Sequence, residues 1–255
     1  MLFERYVGID YSGARAPDDR LPGLQVFAAA RSGPPRKCLP PSEQPRNWTR
    51  RQVAEYCRAA VAQKGPVIIG IDHGLSFPAS YMVRHGLGDW DGFLADFIRH
   101  WPTTGEGVWV DAVRAGNARG GTTDELRLCE RWTAGAKSVF QFDVQGSVAK
   151  STHAGLPWVA WLRAEPAVAA RLHCWPFDGF AVPPGKAVIA EVFPSVLRRR
   201  HAREGRTVDE HDAWSVARWL QETDRHGSLA RYLEPPLTAA ERRLAALEGW
   251  ILGIC

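Results

Sequence analysis

Two periodicities run along the chain: short apolar runs of strand length, and segments whose apolar residues recur every three or four positions. Arg5-Tyr6-Val7-Gly8-Ile9-Asp10 is the first run, and Leu24 to Ala30 is the second, closed by Arg31-Ser32-Gly33-Pro34-Pro35. A Pro-rich stretch with room for a third short strand follows. Thr49-x-x-Gln52 has the form of a capping box, and Val53, Tyr56, Cys57, Ala60 and Val61 then keep helical spacing until Lys64-Gly65-Pro66. Val67 to Asp72 reads as the next strand. Asp91 is placed to cap a helix with the stripe Phe93, Leu94, Phe97, Ile98 and Trp101, which Pro102 ends.

From about residue 102 to 185 the periodicity fades into Gly, Thr, Arg and Trp, with helices expected over Glu125 to Trp132 and Trp158 to Arg163. Regularity returns with the strand Ala187 to Val192. Thr207-x-x-Glu210 opens a helix whose apolar face is Ala213, Val216, Ala217 and Leu220, and Thr238-x-x-Glu241 opens a last one. The pattern predicts a single α/β domain over 1–255, with about 102–185 an elaboration inserted before the last core strand.

Composition narrows the class. With 255 residues, 45% hydrophobic and 24% charged, the chain can bury a large core. Its apolar runs are too short to span a bilayer, and Met1-Leu2-Phe3-Glu4-Arg5 lacks the basic head and apolar centre of a signal peptide. Five cysteines with no C-x-x-C pair argue against a disulfide framework or a structural zinc site, and fit reduced thiols in a cytoplasmic protein. A net charge of +4 permits a polyanionic partner without identifying one.

The chemistry concentrates where strands end. Gly8-Ile9-Asp10 and Gly70-Ile71-Asp72 close two strands with the same tripeptide, and a third ends at Glu191. Because side chains alternate, each aspartate shares a face with the glycine two residues before it, and is expected to stand above open space. If the two strands are parallel neighbours, their axes lie roughly 5 Å apart and both carboxylates emerge at one sheet edge. Clustered carboxylates repel unless a cation neutralises them. Oxygen-only ligands favour magnesium or manganese, and two such ions about 4 Å apart suit phosphodiester hydrolysis. Glu191 and the helical pair Asp209 and Asp212 are placed to complete the site. The competing reading makes Asp209 a helix cap and each strand-end aspartate a turn former.

These motifs, with Glu191-Val192-Phe193-Pro194 and Asp212-Ala213, resemble the ribonuclease H-like superfamily. Within it the chain is similar to a family of predicted nucleases, the domain of unknown function numbered four hundred and twenty-nine. Gly146-Ser147-Val148 through Gly155-Leu156-Pro157-Trp158, Trp175-Pro176-Phe177-Asp178-Gly179 and Glu248-Gly249-Trp250-Ile251 extend that similarity over most of the chain. The resemblance implies a mixed five-stranded sheet, three antiparallel strands followed by two parallel ones, flanked by helices. It implies acids at the carboxyl edge holding two magnesium ions: Asp10 from the first strand, Asp72 from the fourth and Asp212 from the late helix. Glu191 matches the family's Glu-x-aromatic-Pro feature and is counted with these three as catalytic. No acid matches the glutamate that ribonuclease H places on its first helix, although Glu55 is available there.

The expected function is a metal-dependent nuclease. Ser12 beside Asp10, together with Arg127, Arg131, Lys150 and Arg200, are the substrate-binding candidates, since cations and hydroxyls in Gly-bounded loops suit phosphate contacts. His73 and His211 each adjoin a proposed acid and are candidate proton relays. One alternative is an actin-like or sugar-kinase-like phosphotransferase or ATPase, whose phosphate turn Asp72-His73-Gly74 would supply. Another is a non-catalytic scaffold of the same fold that binds nucleic acid or protein.

Overall fold

The computed structural model describes residues 1–41, 47–144 and 146–255. A mixed sheet is formed by β1 (Arg5–Asp10), β2 (Gln25–Ala30), β3 (Arg36–Lys37), β4 (Val67–Ile71), β5 (Leu172–Cys174) and β6 (Ala187–Glu191), in the spatial order β3-β2-β1-β4-β6-β5. The first three strands are antiparallel neighbours, whereas β4, β6 and β5 run parallel to β1. The sheet therefore has six strands, not the expected five. The additional edge strand is only three residues long and sits inside the segment read as an elaboration, so it leaves too short an alternation to register as a strand.

Helices cover both faces. In chain order they are α1 (Arg50–Ala62), α2 (Ala79–Arg84), α3 (Trp90–His100), α4 (Val110–Arg114), α5 (Leu128–Trp132), α6 (Ala149–Ala164), α7 (Pro166–Ala169), α8 (Val208–Arg225), α9 (Leu229–Leu233) and α10 (Ala239–Glu248). Among the described residues no helix is long and apolar enough to cross a membrane. Val7, Ile9, Val26, Ile69, Ile71 and Ile189 point to one face, into a core shared with α1, α3 and α6. Tyr6, Ile68, Val188 and Ala190 point to the other, under α8, α9 and α10. The alternation along each strand thus divides between two cores, as a sheet buried on both sides requires.

The three capping boxes at Thr49, Thr207 and Thr238 form as their sequences dictate. The cap of α3 is Asp89 rather than Asp91: its side chain accepts from the Gly92 N–H, while Asp91 stays in the first turn. The helix expected from Glu125 begins at Leu128, because Glu125 instead bonds to Thr122, Ser80 and Arg84. The one expected over Trp158 to Arg163 is the end of a much longer α6. Nearly every residue from Ala149 to Val159 is buried, so α6 has no polar face to reveal its period.

The glycines before the two aspartates serve a purpose other than clearing empty space. Gly8 and Gly70 are register partners across β1 and β4, and α8 lies directly on them. A Cβ on Gly8 would come within 2.1 Å of the Ala213 carbonyl oxygen, and one on Gly70 within 2.7 Å of Val216. The expected open space is filled by a helix that can approach only because two side chains are missing.

Candidate functional site

Three of the predicted acids lie near enough at one end of the sheet for their charges to raise one another. Asp10 closes β1, Asp72 follows Ile71 at the end of the adjacent parallel strand, and the Asp72 N–H bonds to the Ile9 carbonyl at 2.9 Å, which locks the two strand ends together. The carboxyls of Asp10 and Asp72 lie close enough to be coupled, so that the charge of Asp72 raises Asp10. Asp212 comes from the first turns of α8, one residue before the Ala213 that rests on Gly8.

The electrostatics are those of an overcrowded anionic site. Burial, then the charges of Asp72, Asp209 and Asp212, push Asp10 well above the ordinary carboxylate range. Burial, followed by Asp212, pushes Asp72 up to about 7. Burial also raises Asp212, against the opposing pull of Arg198, and raises Asp209. Asp209 therefore belongs to the cluster, and its Oδ2 lies beside Gly23 on the loop that also carries Ser12. The competing reading of Asp209 as a cap is not needed, because Thr207 caps α8.

Glu191, at the end of the next strand, is near enough for its charge to raise Asp72, but its own carboxylate is paired elsewhere. Its Oε1 and Oε2 accept from Arg127 Nη2 and Nη1 at 2.6 and 2.7 Å, and Oε2 also accepts from the Leu75 N–H. Arg127 is fully buried and also donates from Nε to Glu130. Glu191, expected to be catalytic, and Arg127, expected to bind substrate, instead form a buried ion pair with each other. Glu248 accepts from the Ala79 and Leu128 N–H groups, so this knot ties α2, α5, α10 and β6 together.

The other candidates scatter. Lys150 turns away to Asp111 at 2.7 Å, and Arg131 donates to the Leu126 carbonyl on the surface. Arg200 is exposed on a 3₁₀ turn, Arg198–Arg200, that follows β6. Glu55 sits on the exposed side of α1, beneath the opposite face of the sheet. His73 points to that opposite face as well: it packs on Gly155 and Tyr11, bonds the Gly74 carbonyl, and is held neutral by burial, with its pKa lowered to about 4. It cannot relay protons for Asp72. His211 is pinned between the Arg198 carbonyl at 2.8 Å and the ring of Trp214.

Two cations outside the expected set stand close to the acids or to the loop that carries them. Arg50, at the start of α1, is buried and donates to the carbonyls of Ser12, Ala14 and Arg15, so it holds the loop that leaves Asp10. Arg198 pairs with Asp212 Oδ2 at 3.3 Å, while Asp212 Oδ1 is buried with no partner. Among the described residues no three His, Cys, Asp or Glu side chains are drawn into a ready-made metal cage. The donor set nevertheless fits a hard divalent cation: carboxylate oxygens only, an orphaned buried oxygen on Asp212, and burial with mutual repulsion that raises Asp10, Asp72 and Asp212.

No protein-family model, curated protein or solved structure matches the chain.

Proposed function

We propose that the protein is a ribonuclease H-like nuclease that hydrolyses phosphodiester bonds of nucleic acid with magnesium or manganese. The observation that carries this reading is that Asp10, Asp72 and Asp212, from two adjacent parallel strand ends and one helix, are each raised by burial, with the charges of the neighbouring acids adding to the rise of Asp10 and Asp72. The strand order β3-β2-β1-β4-β6, with acids closing β1 and β4, is consistent with that superfamily.

Asp10, Asp72 and Asp212 are the residues to hold divalent cations, with Asp209 and Ser12 at the margin. A bound ion would supply charge neutralisation and Lewis acidity toward a phosphodiester and the water that attacks it. Arg50 fixes the Ser12 loop, and α8, resting on Gly8, fixes the distance of Asp212 from the strand ends. The exposed Arg199 and Arg200 follow Arg198, the partner of Asp212, in one 3₁₀ turn, and are cations available to a polyanion.

The ATPase alternative is weakened by the turn it depends on. The Gly74 N–H is already bonded to Thr152 Oγ1 at 2.9 Å, and a Cβ there would touch Thr152, so the turn after β4 is closed by α6 rather than open to a phosphate. The test is cleavage of labelled single- and double-stranded DNA and RNA with magnesium or manganese, comparing wild type with Asp10→Asn. Metal-dependent cleavage lost in the variant, with an unchanged circular dichroism spectrum, is the expected result; equal cleavage by both proteins would sink the assignment.

A further inference from the structure

We propose that Arg198 is an exchangeable counter-ion. It holds Asp212 while the acid cluster lacks a divalent cation, and turns to a substrate phosphate once that cation is bound. This inference rests on the nuclease reading of the same site.

The two arginine–carboxylate contacts in this region differ in kind. Arg127 grips Glu191 through two short bonds, 2.6 and 2.7 Å, with both partners buried. Arg198 makes one bond to Asp212, 3.3 Å long, outside the 2.7–2.9 Å usual for charge-assisted pairs, and its side chain is 42% exposed. The first is built to stay; the second is built to be exchanged. The backbone of Arg198 is tied to α8, because its carbonyl accepts from the His211 ring at 2.8 Å.

Asp212 supplies the independent sign of a missing ligand. The residue is only 8% exposed, and its Oδ1 is buried without a partner while Oδ2 has only Arg198. A divalent cation satisfying Asp212 removes the reason for the guanidinium to stay. Released, it lies on a turn with Arg199 and Arg200, and a planar guanidinium suits a phosphate oxygen pair better than a single carboxylate oxygen. Cation loading and phosphate binding are then linked through one side chain.

Calorimetric titration with manganese separates the outcomes, using wild type, Arg198→Gln, Arg198→Lys and, as a control for general charge loss, Arg199→Gln. Arg198→Gln is expected to bind manganese about three- to tenfold tighter, because a competitor is removed, while the other two change by less than about twofold. With manganese saturating, Arg198→Gln should bind a phosphorothioate oligodeoxynucleotide several-fold more weakly than Arg199→Gln does. Equal manganese affinities for Arg198→Gln and Arg199→Gln, or weaker binding by Arg198→Gln, would overturn the counter-ion role while leaving the nuclease reading intact. No manganese binding by the wild type removes both.

Discussion

Replacing Asp72 by Asn exposes the electrostatic cost of the site directly. Burial and the neighbouring acids move this carboxyl from its ordinary 3.8 to about 7 in the folded protein. The folded value lies above the unfolded one, so the proton favours folding below about pH 4 and that contribution fades as pH rises through 7. The interval spans roughly three powers of ten in proton affinity, at about 1.4 kcal/mol each, which sets an upper limit near 4 kcal/mol on the stability lost above pH 7. Asp72 keeps partial solvent contact, and screening brings the expected figure to about 2 kcal/mol. Asn has the same shape, stays neutral, and still offers an oxygen to Asp10. In EDTA at pH 8 the variant should therefore melt about 4–8 °C above wild type, using about 2–4 °C per kcal/mol for a chain of this size. The gap should shrink toward pH 4, and saturating manganese should raise the wild type while leaving the variant unmoved. Thermal melts followed by circular dichroism across pH 4 to 8 measure all three effects. A variant no more stable than wild type at pH 8, with a gap that does not change with pH, would refute the claim that repulsion among these acids is stored in the fold.

Gly8→Ala places a methyl within 2.1 Å of the Ala213 carbonyl and must lift α8 from the sheet; a loss of about 3 kcal/mol or more in urea unfolding is expected, with weaker manganese binding as Asp212 withdraws. Arg127→Met strands Glu191 and Glu130 in the interior and should cost about 3–5 kcal/mol, measured by denaturant unfolding, whereas loss of substrate affinity with normal stability would restore Arg127 to the binding site. His153 is buried among Phe77, Phe97, Trp101 and Phe142, and burial lowers its pKa to about 3. Because the unfolded chain binds that proton more readily, the stability present above pH 6.5 is lost as pH falls. Relative to wild type, His153→Leu should lose about 2 kcal/mol less between pH 6.5 and 5.

Local signals were legible because they are complete within a few residues. Each capping box carries both of its partners in four positions, and the strand ends at Asp10 and Asp72 each carry a glycine and an acid. What involves distant segments was not. Glu191 reads like Asp10 and Asp72 in sequence, but its role is decided by Arg127, which lies 64 positions away. Asp89 took the cap from Asp91 because loop geometry, not residue type, selects between two nearby aspartates. The long helix α6 was hidden by being buried on all sides, and β5 by its brevity. Arg198 lies in a basic run of the kind solvated surfaces carry, and its contact with Asp212 distinguishes it from Arg199 and Arg200.

The paired glycines under α8 have a consequence for how this site can change over time. Gly8 and Gly70 carry no charge and touch no substrate, yet they set how near a carboxylate on the helix can stand to those on the strands. The spacing of the acids and interior packing are thus a single constraint. A lineage that loses either glycine cannot keep the cluster by conserving its acids, and one that loses the acids still cannot fill those positions without moving a helix. Glycine at both positions should accordingly outlast the aspartates in descendants whose acid cluster has been lost.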